Sequence, residues 1–110
     1  MKSKLPSSTF VREHRHIDLT CESDGWLRAN ITWYKNNVQL PLDKNKYSIK
    51  NSEVRVTTIR SVLTVFNVSR DEEADTYMCA VQSNAGALND STQLVVICKF
   101  IVSVLYHKAW

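Results

Sequence analysis

The side chains in this 110-residue chain best suited to metal binding or nucleophilic chemistry are three histidines and three cysteines. His14 and His16 stand two apart, a spacing that places both on one face of a strand, where two imidazoles supply half of a tetrahedral ligand set. No third ligand accompanies them and His107 lies far along the chain, so they are read as exposed strand histidines and no metal site is expected. None of the three adjoins a Ser, Thr or Cys in a glycine-rich elbow. Nor does the chain carry a phosphate loop, a CxxC pair or a paired-carboxylate motif. The expectation is a protein that is not an enzyme and needs no cofactor.

The remaining chemistry is that of modification and of the cysteines. Asn30-Ile31-Thr32, Asn67-Val68-Ser69 and Asn89-Asp90-Ser91 are glycosylation sequons, acceptors only in a chain that enters the secretory pathway. Cys21 and Cys79 are 58 residues apart, and Cys98 follows near the end. The net charge of +3 is spread among acids and reads as a solvated surface. A heparin or phosphate patch needs clustering that the sequence does not display, and no nucleic-acid partner is expected.

The elements that position these residues are strands. In HIDLTCES, Ile17, Leu19 and Cys21 alternate with Asp18, Thr20 and Glu22; in NITWYK, Ile31 and Trp33 alternate with Asn30, Thr32 and Tyr34. Asp24-Gly25 has turn chemistry, and Asn36-Asn37 tolerates the positive φ of a tight hairpin. YSIK (47–50), EVRVTTI (53–59) and SVLTVFNV (61–68) are rich in β-branched residues, with a parity shift that predicts a turn or bulge near Arg60. TYMCAVQ and STQLVVI flank SNAGALND, which predicts a hairpin loop holding Asn89. In DEEADTYMC, Tyr77 and Cys79 point to one side of a strand entered from an acidic turn. Seven or eight short strands separated by regular turns predict an all-β sandwich, and 44% hydrophobic residues suffice for one core.

Cys21, Trp33 and Cys79 on inward positions, with Tyr77 two residues before the second cysteine, resemble an immunoglobulin superfamily domain. Leu63, Val65 and Val68 match the family's L-x-V-x-x-V strand. CAVQSNAG resembles the hairpin of intermediate, I-set, domains. The resemblance implies a Greek-key sandwich of two antiparallel sheets with 7 to 9 strands, a Cys21–Cys79 disulfide through the core, and Trp33, Tyr77 and Leu63 as its signature. It also implies a tyrosine corner in which the Tyr77 hydroxyl bonds back to the chain entering the strand. The alternative for the cysteines is a pair of buried thiols, as in intracellular muscle-type domains of this kind. Where the family has Asp and then Gly or Ala before the tyrosine, this chain has Glu73 and Asp75. Glu73 is the expected corner acid, with Asp71 or Asp75 as the alternatives in another register.

The domain is expected to occupy residues 1–97. Residues 98–110 form an apolar tail, too short on its own for a membrane span, so the membrane is reached only through a parent chain. Residues 1–16 contain no apolar run of signal-peptide length. Cys98 has no partner in the core scheme, and its readings are an intermolecular bridge or an end effect of the fragment. The resemblance, the cysteine pair and the sequons imply an extracellular module of an adhesion molecule or receptor, secreted or on the cell surface. Its partner is then a protein: another immunoglobulin-like domain, or a second copy in a homodimer. The alternatives are a spacer module of a scaffold or matrix protein and a soluble truncated form. Trp26, Tyr34 and Lys35, with the edge at 38–42, are the expected partner-binding residues.

Overall fold

The computed structural model describes residues 5–25, 28–40 and 44–97. Eight strands form: β1 (Ser8–Arg12), β2 (Ile17–Asp24), β3 (Asn30–Lys35), β4 (Val38–Gln39), β5 (Tyr47–Arg55), β6 (Thr58–Val65), β7 (Thr76–Ser83) and β8 (Gly86–Ile97). One sheet has the order β1-β8-β7-β3-β4, the other β2-β6-β5. All pairings are antiparallel except β1 with β8, which run parallel from Ser8↔Gln93 to Arg12↔Ile97. A single 3-10 turn, Arg70–Glu72, lies between β6 and β7.

The turns follow from the residues that occupy them. Asn36 and Asn37 have φ of 48° and 69°, the twist that a two-residue connection between β3 and β4 requires and that asparagine adopts at low cost. Gly86, at φ 147°, opens β8 directly after the turn from β7. Within the strands alternate residues are buried, as in β6, where Ser61, Leu63 and Val65 face the core with the partly buried Ile59 packed against it. Ser61, like Leu63 and Val65, is fully buried although polar.

Its burial is explained by a square of four residues across the sandwich. Cys21 is the register partner of Ser61 in the three-stranded sheet, and Trp33 that of Cys79 in the five-stranded sheet. Cys21 and Cys79 form a disulfide with Cα atoms 6.5 Å apart. Beside it, the Trp33 Nε1–H donates to Ser61 Oγ at 2.8 Å. Two links therefore join the sheets side by side, one covalent and one a buried hydrogen bond. Leu63, Tyr77, Val81 and Leu94 close the core around them with no exposed surface.

Three expectations are corrected. The break between the two middle strands falls at Val56–Thr57, not near Arg60; Arg60 lies inside β6, opposite Glu22. The parity that suggested otherwise came from Val54 and Val56, which are exposed near and at the hairpin tip and never face the core. Asn89 is not in a loop, because β8 starts at Gly86 and pairs Asn89 with Ala80. His14 and His16 do not share a strand face: His14, at φ 70°, occupies the turn after β1. There its N–H donates to Val68 O at 2.6 Å, docking this turn on the corner between β6 and β7. Strand β1 itself was not legible in the sequence, since Phe10 and Val11 are adjacent apolar residues without alternation.

Candidate functional site

The outward surface of the five-stranded sheet is built in rungs by the register. From the β7–β8 hairpin toward the opposite end they are Ala87, Gln82 and Asn30; then Asn89, Ala80 and Thr32; then Ser91, Met78, Tyr34 and Gln39; then Gln93 and Thr76. The parallel edge adds Phe10 beside Val95, and Phe10 is 64% exposed. No Asp, Glu, Lys or Arg projects from β3, β7 or β8 on this side, since Lys35 and Asp90 sit at inward positions opposite Tyr77 and Cys79. The other sheet differs. Its outward rungs carry Asp18, Glu22, Lys50 and Arg60, with Arg60 Nε bonded to Glu22 at 2.8 Å and the Thr64 hydroxyl donating to Asp18 at 2.6 Å.

Apart from the exposed Arg12 at the far end of β1, level with Ile97, one face is thus uncharged, with Tyr, Phe and Met among small polar residues, and the other is a charged surface. Depletion of charge with enrichment in Tyr, Phe and Met is the composition of interface centres. Among the described residues no group of three or more His, Cys, Asp or Glu is arranged to hold a metal ion.

Of the expected partner-binding residues, Tyr34 lies in the middle of the neutral face. The Lys35 ammonium is turned away from it, donating to Tyr47 Oη at 3.0 Å and pairing with Asp75 at 3.3 Å. Burial works to lower the Lys35 pKa, but the Tyr47 hydroxyl and the Asp75 carboxylate together outweigh it and hold the group above 10.5. Val38 is exposed and Leu40 buried, whereas Trp26, residues 41–43 and Cys98 lie outside the described residues. Asn30, Asn67 and Asn89 are all exposed. Phe10, Val95 and Met78 were missed in the sequence, because only the register shows that they share this face.

At the corner the acid is Glu72, not Glu73, which is exposed. Glu72 is buried in the 3-10 turn, accepts from the Ser69 N–H at 3.1 Å and pairs with Lys46. The displacement has a backbone cause: the left-handed residue is Ala74, at φ 68°, and Asp75 beyond it accepts from Asn36 Nδ2 at 3.0 Å and pairs with Lys35. Tyr77 is fully buried, and its hydroxyl does not bond back to the chain. It sits near Tyr47, Glu72 and Asp75 with no hydrogen bond of regular geometry; burial first, and then these neighbours, push its pKa far above 10.0.

Two mainly antiparallel sheets joined through the core by one disulfide, with a tryptophan packed alongside, define an immunoglobulin-like sandwich. The chain belongs to the immunoglobulin domain family, whose sequence profile, described as Immunoglobulin domain, matches residues 2–83. It is 34% identical over 67 residues, 60% of its length, to junctional adhesion molecule C of Mus musculus, and equally to that of Rattus norvegicus. It spans 21% of those curated relatives. Among solved structures, a three-domain fragment of titin superposes with a TM-score of 0.72 at 26% identity, covering 88% of this chain and 32% of the fragment. The complex of Dpr2 with DIP-Theta contains a chain matching with a TM-score of 0.73 at 19% identity, covering 83% of this chain and 30% of that one, a likeness of fold. As an immunoglobulin domain related to an adhesion molecule, the protein is not an enzyme.

Proposed function

We propose that this chain is an extracellular module of a cell-surface adhesion molecule or receptor, and that it meets a protein partner through the outer face of the five-stranded sheet. The observation that carries this is the contrast between the faces: uncharged rungs around Tyr34 and Met78 on one side, Asp18, Glu22, Lys50 and Arg60 on the other. A protein of net charge +3 that keeps β3, β7 and β8 free of charge on one sheet face avoids both like-charge repulsion and unpaired buried charge when those strands are covered. The relation to junctional adhesion molecule C, the disulfide and the three exposed sequon asparagines support the extracellular placement.

The test uses the domain secreted from eukaryotic cells, examined for self-association by sedimentation velocity and, multimerised on beads, for adhesion to itself and to cultured cells. Tyr34→Arg is expected to abolish association or adhesion and Lys50→Glu to leave it intact. The reverse pattern, or no binding in any format, overturns the reading. Run with reductant, the same experiment assigns Cys98 a bridging role if a dimer is lost. A spacer module in a longer array is the second reading, favoured by the likeness to titin. It predicts a monomer that adheres to nothing.

A further inference from the structure

Two of the three sequons fall on the candidate recognition face itself. Asn30 lies on the rung nearest the β7–β8 hairpin and Asn89 on the next. Their hydroxyl partners, Thr32 and Ser91, are each one rung further along on the same face. The two asparagines are separated by two strand spacings, about 10 Å, and one rung, about 7 Å, so they stand roughly 12 Å apart. Both are exposed, and between them lie only the small or uncharged side chains Ala80, Gln82 and Thr32. The third, Asn67, sits at the opposite end of the sandwich in the corner between β6 and β7, at φ 49°, off the sheet face.

We propose that Asn30 and Asn89 are N-glycan acceptors whose oligosaccharides cover the hairpin half of the five-stranded face and confine protein contact to the half bearing Tyr34, Met78, Gln93, Phe10 and Val95. A glycan is bulky and hydrated, so two of them this close exclude a macromolecule from the rungs that they stem from. The polar, small-residue rungs are the ones holding the acceptor asparagines. The rungs with Tyr, Met and Phe hold no acceptor asparagine, and these are the side chains that supply contact area when desolvated. The consequence for docking rests on the recognition reading above, whereas occupancy and coverage do not.

The experiment is chosen accordingly. Protein secreted from cultured animal cells is treated with peptide N-glycosidase in heavy-oxygen water, which converts each occupied asparagine to a labelled aspartate read by mass spectrometry. Label at both Asn30 and Asn89 is expected; either site left unlabelled overturns the proposal. Coverage is read with lactoperoxidase, a protein-sized probe that iodinates Tyr34 only where a macromolecule reaches it. Tyr34 is expected to iodinate within about twofold of the same rate before and after deglycosylation. Met78→Asn with Ala80→Thr, which installs an acceptor on the bare half, is expected to suppress iodination several-fold until its glycan is removed. A several-fold rise on deglycosylating the native protein, or a Tyr34 inert in both forms, shows that the half is not open and overturns the assignment. A failed adhesion assay with these readouts intact counts against the recognition function alone.

Discussion

Ser61→Ala tests whether the hydrogen bond beside the disulfide contributes to stability as its burial requires. The substitution removes one oxygen from a fully buried site and leaves the Trp33 Nε1–H without the acceptor it has at 2.8 Å. Stranding a buried donor costs about 1–3 kcal/mol. We take about 2 kcal/mol, which at a urea slope of roughly 2 kcal/mol/M lowers the unfolding midpoint by about 1 M. Urea titration followed by tryptophan fluorescence and far-ultraviolet circular dichroism measures it, with the slope expected unchanged. Trp33→Phe supplies the control: in that background no N–H is left to strand, so Ser61→Ala is expected to cost under about 0.5 kcal/mol, a coupling of about 1.5 kcal/mol between the two positions. Equal costs in the two backgrounds, or a cost near zero in the native one, would refute the assigned role.

Removing the disulfide by Cys21→Ala with Cys79→Ala frees a loop of separation 58 and is expected to cost about 4 kcal/mol on the chain-entropy estimate, measured as the midpoint shift of whatever still folds. Lys46→Ala leaves the buried Glu72 carboxylate without its cation and is expected to destabilise by about 3 kcal/mol, whereas Glu73→Ala, at an exposed position, changes stability by less than about 0.5 kcal/mol; parallel thermal melts compare them. Alkaline pH is expected to unfold the domain. The Tyr77 phenol is raised above 10.0 in the folded state, so above about pH 10 the unfolded chain releases a proton that the folded one keeps, and stability falls by about 1.4 kcal/mol per pH unit. Lys35, also raised, adds a loss of the same sign as pH climbs past 10.5. Tyr77→Phe is expected to flatten the slope between pH 10 and 11, about one unit above the ordinary value, and a slope unaltered by it would remove Tyr77 as the cause.

The sandwich was legible because its signals are local or period-two. Ile17, Leu19 and Cys21 alternate cleanly, and Asn36-Asn37 announces its hairpin by residue type. What failed was whatever depends on where a strand stops relative to the sheet packed on it. Val54 and Val56 look like core residues by type, yet they project beyond the sandwich, so the turn was placed too late. At the corner, three acids in a row offer equal chemistry at Asp71, Glu72 and Glu73. Only the left-handed backbone at Ala74 and the position of Lys46 decide that Glu72 turns inward. The recognition face was half legible: Tyr34 follows from strand parity, but Met78, Phe10 and Val95 join it through pairings between strands distant in sequence.

The parallel pairing of β1 with β8 bears on what happens when the chain is pulled. β1 runs in the same direction as β8, its first residue Ser8 level with Gln93 and its last, Arg12, level with Ile97, so tension drawing the two ends apart slides one strand along the other. The hydrogen bonds between Ser8–Arg12 and Gln93–Ile97 then carry the load together in shear rather than opening one at a time. Should they yield, the disulfide shields the 58-residue interval from Cys21 to Cys79, withholding roughly 200 Å of extensible backbone. Only the two short flanking segments pay out, which makes this domain a tether of nearly fixed length between whatever holds its two ends.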